Sequence, residues 1–137
     1  SITYGADDSL PGGQYYLYMF DNNYGIALTR PDFGWSVIDG ISTEFSSDTA
    51  RSQYRRYLVD ENAGTYTEVS SFDVPYSPYV SSAQELDNGN ILIDSGMQGL
   101  FGQYSPDGSL VAQYRMTLSS SYIYRVYSYD FSGFYFA

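Results

Sequence analysis

The stretch "SSAQELDNGNILIDSGMQGLFGQYSPDGSLVAQYRM", residues 81–116, contains two turn sequences, and each lies between two short strand-like segments. The turns are Asn88-Gly89 and Asp107-Gly108. Asn-Gly and Asp-Gly between alternating apolar residues are the strongest short-range signals for a tight β-hairpin. Two consecutive hairpins place four short antiparallel strands within this stretch. The sequence therefore predicts a four-stranded antiparallel meander.

The first half of the chain predicts a similar arrangement. The segment "YYLYMF" (15–20) is aromatic and lies between two turn sequences. The segments "QYRRYLV" (53–59) and "TYTEVSSFDV" (65–74) flank "DENAG" (60–64), which ends in the glycine that a hairpin turn favours. Between these strands, "ALTRPDFGWSVIDG" (27–40) contains a proline and two glycines, so we expect an irregular loop there.

A short helix is the alternative for residues 48–58, because Ala50, Tyr54 and Leu58 recur at helical spacing. We favour a strand, because tyrosine and other strand-forming residues crowd the end of this segment. A matching partner strand also follows the next turn at once.

The two halves contain a parallel pattern. "LPGGQYYLYMFDNN" (10–23) and "LDNGNILIDSG" (86–96) each run from a turn into an apolar strand and then to an aspartate. This pattern favours an internal repeat in which Asp21 and Asp94 occupy the same point of two units.

Meanders that recur about every 40–45 residues are typical of β-propeller blades. We therefore predict an all-β fold of antiparallel four-stranded meanders, a partial β-propeller of about two to three blades. The approximate blades are residues 1–75 and 76–116, and residues 117–137 start a further blade or supply closing strands. A sandwich or an irregular barrel is the alternative.

A propeller closes with 4–8 blades, so 137 residues supply too few for a ring. The chain is then a segment of a larger propeller, a subunit that completes one with copies or a partner, or not a propeller. We favour the segment. The remaining blades or further copies of the chain are its expected partners, because an open stack leaves a sheet face bare.

The composition excludes several classes of function. The chain has 16 acidic residues against 6 basic ones, a formal net charge of -10, and no histidine or cysteine. All basic residues are arginine, so a basic patch for nucleic acid or an anionic membrane is not expected. Because cysteine is absent, thiol catalysis, disulfides and cysteine metal sites are excluded. Because histidine is absent, the chain also lacks the commonest general base and the commonest metal ligand. We assign no metal and no cofactor.

Two further expectations come from composition. No apolar run approaches the roughly 18 residues that span a bilayer, so we expect no membrane span. A chain rich in Tyr, Ser, Asn and Gly and free of lysine is more typical of exported proteins, periplasmic or extracellular.

Three stretches carry a resemblance to a known family: "MFDNNYGIALTRPDFGW" (19–35), "YSPYVSSAQELDNGNILIDSG" (76–96) and "YRVYSYDFSGFYF" (124–136). Together they resemble the C-terminal region of the β-propeller of bacterial aryl-sulfate sulfotransferases. Those are exported enzymes that move a sulfuryl group between phenols without a nucleotide sulfate donor. The resemblance implies a phenolic sulfate and a phenol as substrates.

The resemblance also implies a catalytic histidine, which in the family lies just before an "LP-x-G" turn and the "FDN" strand. The corresponding stretch here is "YGADDSLPGG" (4–13), in which Gly5 or Ala6 stands at the expected position. Without an imidazole the chain has no nucleophile for a two-step transfer. We therefore predict that the isolated chain is inactive. Catalytic histidines that lie upstream, or a diverged inactive relative, both fit this pattern.

Four residues are candidates for binding a phenolic sulfate. Arg30 lies in the irregular loop and can supply a cation for a sulfate, or it pairs with Asp32 on the surface. Trp35, Tyr76 and Tyr79 can stack on a phenol ring, or they pack between blades.

Adjacent carboxylates are a further candidate pair. Asp7 and Asp8 can supply a general base, but neighbours on a strand point to opposite faces, which disfavours a shared-proton dyad.

A second hypothesis needs no catalysis. A tyrosine-rich, acidic β-protein can use its aromatic surface to bind glycan or peptide, or to assemble with its own copies.

Overall fold

The computed structural model describes residues 2–5, 7–117, 119 and 122–131. These residues form two four-stranded antiparallel sheets and two short 3₁₀ helices, Trp35–Val37 and Gly96–Gln98. Sheet 1 has the order β1-β2-β3-β4, and sheet 2 has the order β5-β6-β7-β8. The strands are β1 (Ile2–Gly5), β2 (Gln14–Asp21), β3 (Arg51–Asp60), β4 (Thr65–Pro75), β5 (Ser81–Glu85), β6 (Ile91–Ser95), β7 (Leu100–Tyr104) and β8 (Leu110–Arg115).

The predicted all-β class and both meanders are confirmed. Because β3 begins at Arg51, the helical alternative for residues 48–58 is wrong. Hydrogen bonding to β2 and β4 on both sides stabilises β3 as a central strand of sheet 1. The number of blades in a complete ring stays a prediction.

The turns form as the dipeptides predict. Gly89 and Gly108 have φ angles of 84° and 85°, a left-handed backbone that glycine adopts without steric cost. Gly108 has a second reason to lack a side chain, since a β-carbon there would lie 2.6 Å from Cβ of Phe72 in sheet 1.

The two sheets pack face to face, and we call the faces in contact their inner faces. One apolar cluster contains side chains from both sheets. The rings of Tyr54, Phe72 and Tyr104 stack in sequence across the interface, with centroid separations of 5.0 and 5.5 Å. The cluster consists of Tyr18, Phe20, Tyr54, Val74, Ala83, Ile91, Ile93 and Tyr104, with Phe72 packed against it.

The outer face of sheet 1 is open among the described residues. Side chains alternate along a strand, so Leu17 and Met19 of β2 point away from sheet 2, as do Tyr57 and Val59 of β3. With Tyr66 they line a groove of about 470 Å³. This apolar outer face has no covering element among the described residues.

The outer face of sheet 2 is partly covered by residues 122–131. No strand is assigned there, so the further strand pair predicted for the tail is not formed over these described residues. The segment instead bonds to β5 and to Gly96, the residue directly after β6. Val126 and Ser128 bond to the side chains of Ser82 and Gln84, and the Ile123 N–H bonds to the Gly96 carbonyl.

The predicted equivalence of Asp21 and Asp94 is wrong. Asp21 points away from sheet 2, on the same face as Met19, and Asp94 points away from sheet 1, opposite Ile93. In a ring of sheets, equivalent residues point in the same direction around the ring. These two aspartates point in opposite directions, so the apparent match is one residue out of register.

Candidate functional site

The two most specific motifs of the sequence meet at one end of the sheets. The side-chain amide of Asn22 donates to the Ser77 carbonyl at 2.6 Å and to Ser81 Oγ at 3.0 Å. Ser52 Oγ donates to the Asn22 carbonyl at 3.1 Å and accepts from the Ser77 N–H at 2.9 Å. The "FDN" and "YSPY" motifs are thus joined through partly or fully buried hydrogen bonds.

Further serine contacts extend this connection to β6. Ser77 Oγ donates to the Tyr79 carbonyl at 2.7 Å and accepts from the Met97 N–H at 3.2 Å. Ser95 Oγ donates to the Pro75 carbonyl at 2.8 Å. We call Asn22, Ser52, Ser77 and Ser95 the polar clasp. Its groups bond to one another or to backbone, so its role is to hold the two sheets together at this end.

The long loop between β2 and β3 lies beside the polar clasp. A parallel bridge between Tyr24 and Ser42 closes its base. Trp35 packs there, because a β-carbon on Gly25 would lie 2.5 Å from Trp35 Cβ. The Trp35 ring also meets Phe33 edge to face, with centroids 4.9 Å apart. Trp35 is half-buried, so it supports the loop and keeps part of its ring accessible.

Tyr76 and Tyr79 lie near one another but differ in access. Tyr76 is 2% exposed, and its hydroxyl donates to the Glu44 carbonyl at 2.8 Å. Burial is the main cause of the raised pKa of Tyr76. Tyr79 is partly exposed and meets the Phe45 ring at 5.0 Å and the Tyr122 ring at 6.2 Å. Of the pair, Tyr79 has the ring surface that a ligand can reach.

Arg30 is exposed, and it forms no ion pair with Asp32 among the described residues. Across the residues that the structure describes, every other arginine has a partner for its guanidinium. Arg55 pairs with Asp21 and Glu68, and Arg56 with Glu85; Arg51 and Arg115 donate to backbone carbonyls, and Arg125 lies over the Tyr124 ring. Arg30 is thus the arginine left available for an anion in this region.

The position expected for the family nucleophile lies at the end of β1. Gly5 pairs with Tyr16, and a β-carbon on Gly5 would lie 3.3 Å from Tyr16 Cβ. Ala6 lies outside the described residues. Gly5 therefore packs against Tyr16 of β2, and this contact leaves little room for a larger side chain at position 5.

Asp7 is a turn residue. Its carboxylate accepts from the Ser9 N–H at 2.9 Å and from the Ser9 hydroxyl at 2.5 Å. These hydrogen bonds lower the pKa of Asp7, which makes it a weaker base. The two contacts with Ser9 show that the Asp7 side chain stabilises this turn, as aspartate commonly does.

The sequence pattern indicates Asp94 as a repeat position but not as a candidate functional residue. Its side chain is fully buried, and neither carboxyl oxygen has a hydrogen-bond partner among the described residues. Burial raises the pKa of Asp94 to about 7. The available signal was a carboxyl placed inside the apolar run "ILID", where a solvated residue is not expected.

No group of three or more acidic, histidine or cysteine side chains suited to a metal ion occurs in the described part of the chain. No helix within those residues is long and apolar enough to cross a membrane.

The two packed meanders and the polar clasp define an all-β protein built from consecutive four-stranded sheets. The chain belongs to the arylsulfotransferase (ASST) family, since the model of that family matches residues 2–126, nearly the whole sequence. Comparison with curated proteins and comparison with solved structures give no match.

Proposed function

We propose that the chain supplies consecutive sheets to a β-propeller of the arylsulfotransferase family. The complete propeller transfers a sulfuryl group between phenolic compounds without a nucleotide donor. The family membership and the consecutive four-stranded meanders support this proposal. The proposal includes an exported location, periplasmic or extracellular, because the aryl-sulfate sulfotransferases that the sequence resembles are exported enzymes.

The observation that carries the proposal is the open outer face of sheet 1. Sheet 2 buries Ile93 of its second strand and Tyr104 of its third strand against sheet 1. Sheet 1 presents the same kind of surface outward, with Leu17 on its second strand and Val59 on its third. An apolar face of this pattern is stable when another sheet covers it. The remainder of the propeller, or a further copy of the chain, is the proposed cover.

The sequence contains no histidine, so the nucleophile for sulfuryl transfer comes from outside this chain. Within the chain, Arg30 offers the available guanidinium for a sulfate, and Trp35 and Tyr79 offer ring surface for a phenol. Tyr76 would reach a ligand only after the loop that carries Glu44 moves, because Glu44 accepts its hydroxyl.

A sulfuryl-transfer assay tests the proposal. With 4-nitrophenyl sulfate as donor and phenol as acceptor, the 137-residue chain should release no 4-nitrophenol above buffer. The full product of the gene should contain further histidine-bearing repeats and catalyse the transfer. Turnover by the 137-residue chain, or an inactive full product, contradicts the proposal.

The role of Arg30 is tested in the full product. Arg30→Ala should raise the KM for the aryl sulfate by about tenfold, the scale of one charge-assisted contact. Arg115→Ala is the matched control, because that exposed guanidinium donates to the Gln98 carbonyl at 3.3 Å. Equal effects of the two substitutions would argue against a substrate role for Arg30.

A second candidate function is favoured by exposed aromatic pairs. Tyr4 and Tyr15 lie 5.3 Å apart, and Tyr57 and Tyr66 lie 6.0 Å apart at the open groove. Such pairs suit a non-catalytic protein that binds glycan or peptide, or that self-assembles. Binding to immobilised glycans by the full product without any sulfuryl transfer would favour this function over the first.

A further inference from the structure

We infer that residues 122–131 form a pH-sensitive strap over sheet 2, closed while the buried carboxyl of Asp94 is protonated and loosened when it ionises. This inference concerns the tail and sheet 2, and it does not depend on the sulfuryl-transfer proposal.

The strap is held by side chains of β5. Ser82 Oγ donates to the Val126 carbonyl and accepts from the Val126 N–H, both at 3.1 Å. The Gln84 amide donates to the Ser128 carbonyl at 2.9 Å and accepts from the Ser128 N–H at 2.8 Å. Each side chain thus satisfies both backbone groups of one strap residue, as a neighbouring strand would.

A third anchor lies at the end of β6. The Ile123 N–H donates to the Gly96 carbonyl at 3.1 Å. A β-carbon on Gly96 would collide with the Ile123 carbonyl oxygen, so the strap backbone lies directly on this glycine.

Asp94 lies between these anchors. It is the cross-strand partner of Ser82 and precedes Gly96 by two residues, and it lies on the face that the strap crosses. Its side chain has no exposed surface, and its two carboxyl oxygens have no hydrogen-bond partner among the described residues. An ionised carboxylate in this position is strongly disfavoured, because no donor replaces the lost water.

Glu85 and Asp21, two other carboxylates of the sheets, each have a cationic partner. Glu85, between the sheets, accepts from the Tyr54 hydroxyl at 2.5 Å and pairs with Arg56 Nε at 3.1 Å. Asp21, on the outer face of sheet 1, pairs with Arg55 Nε at 2.8 Å. Within the part of the chain that the structure describes, no cation pairs with Asp94, and Arg125 of the strap lies over the Tyr124 ring instead. A proton is therefore the simplest partner for Asp94.

The groups around Asp94 make the titration easy to assign. The outer face of sheet 2 presents Ser82 and Gln84 from β5, Leu92 from β6, Phe101 and Gln103 from β7 and Tyr114 from β8. The strap contributes Arg125, exposed Asp130 and the tyrosines at 122, 124, 127 and 129. Arginine and tyrosine do not titrate near neutral pH, and the sequence has no histidine or cysteine.

Release of the strap has a structural consequence. It uncovers Leu92 and Asp94 on a sheet face of the kind that packs against another sheet. The outer face of sheet 2 would then be exposed at neutral to alkaline pH, when the strap is loosened, and covered by the strap at acidic pH.

Hydrogen exchange of the 137-residue chain tests the inference, with protection of the amides of residues 123–128 taken relative to their intrinsic exchange rates. We expect protection to fall by at least about tenfold between about pH 5.5 and about pH 8.5, the range across which this carboxyl ionises. Asp94→Asn is neutral at every pH and similar in shape, so its protection should change by less than about twofold.

Three further variants complete the design. Asp94→Leu is a second neutral variant and should also be insensitive to pH, which keeps the test valid if Asp94→Asn folds poorly. Asp21→Asn is the matched control and should keep the wild-type fall. Ser82→Ala combined with Gln84→Ala should give low protection at both pH values. Wild-type protection that is equal at both, or a fall that persists in the neutral variants, overturns the inference.

Discussion

Asn22 donates a 2.6 Å hydrogen bond from its side-chain amide to the carbonyl of Ser77, and so joins the end of β2 to the segment that leads into sheet 2. The two residues are 55 positions apart in the chain. Their contact explains why the "FDN" and "YSPY" motifs occur together, because each residue completes the polar clasp that the other needs. Asn22 and Ser77, one from each motif, therefore have a structural role in the described fold.

Removal of the Asn22 amide should therefore destabilise the fold. Asn22→Ala removes the closer of the two donors to the partly buried Ser77 carbonyl, since Ser52 Oγ lies at 3.4 Å, and this loss should cost about 1–3 kcal/mol. Asn62→Ala is the matched control, because the Asn62 amide donates to the Gly12 carbonyl in an exposed turn. Urea denaturation should show a lower midpoint for the first variant only, and similar midpoints for both would contradict the clasp.

The interface between the sheets should dominate the stability of the described fold. Ile93 is 1% exposed and belongs to the shared cluster, so Ile93→Ala should lower the free energy of unfolding by about 2–5 kcal/mol. Leu28→Ala removes a side chain that is 93% exposed and should change it by less than about 0.5 kcal/mol. Calorimetry or denaturant titration checks both values. Comparable losses would mean that the sheets do not form one core.

Global stability should depend on pH through Asp94. Its pKa is raised from 3.8 to about 7 by burial, so the folded state favours the protonated acid. That contribution is complete below about pH 4, is lost as pH rises towards 7 and is constant above that. The denaturation midpoint of Asp94→Asn should lack this decline. A parallel decline in wild type and variant would assign the pH dependence to other groups.

Glu68 should make the fold less stable at acidic pH, the opposite of the effect expected from Asp94. Its pKa is lowered first by the Ser71 hydroxyl and then by Arg55, so its stabilising contribution is present above the ordinary pKa and is lost on acidification. Because the Arg55 pair is partly exposed, the effect should be below about 1 kcal/mol. Glu68→Gln should reduce the loss of stability below about pH 4, and Glu61→Gln, at an exposed hairpin, is the control.

Turn chemistry made the meanders predictable. Asn88-Gly89 and Asp107-Gly108 fix short local connections, and their outcome depends on little else in the chain. The path of residues 122–131 was not predictable in the same way. Its tyrosine-rich sequence suits a strand, but Ser82 and Gln84 supply the hydrogen bonds that a strand partner would, and no local pattern encodes that choice.

Register and burial limited the prediction of the candidate site. A shift of one residue reverses the face of a strand, which is why Asp21 and Asp94 look alike in sequence and point in opposite directions. Tyr76 looks like a ligand-stacking residue, yet its hydroxyl bonds to the Glu44 carbonyl in the long loop. Arg30 is exposed and has no ion pair among the described residues, and its role in binding an anion stays a prediction.

We propose that the outer face of sheet 1 is an interface that further protein covers. The most direct test is the solution mass of the 137-residue chain over rising concentration, compared with the Met19→Lys variant on the open face. We expect the wild-type chain to associate through this apolar face and the variant to stay monomeric. A wild-type chain that stays monomeric and stable at all concentrations would contradict it.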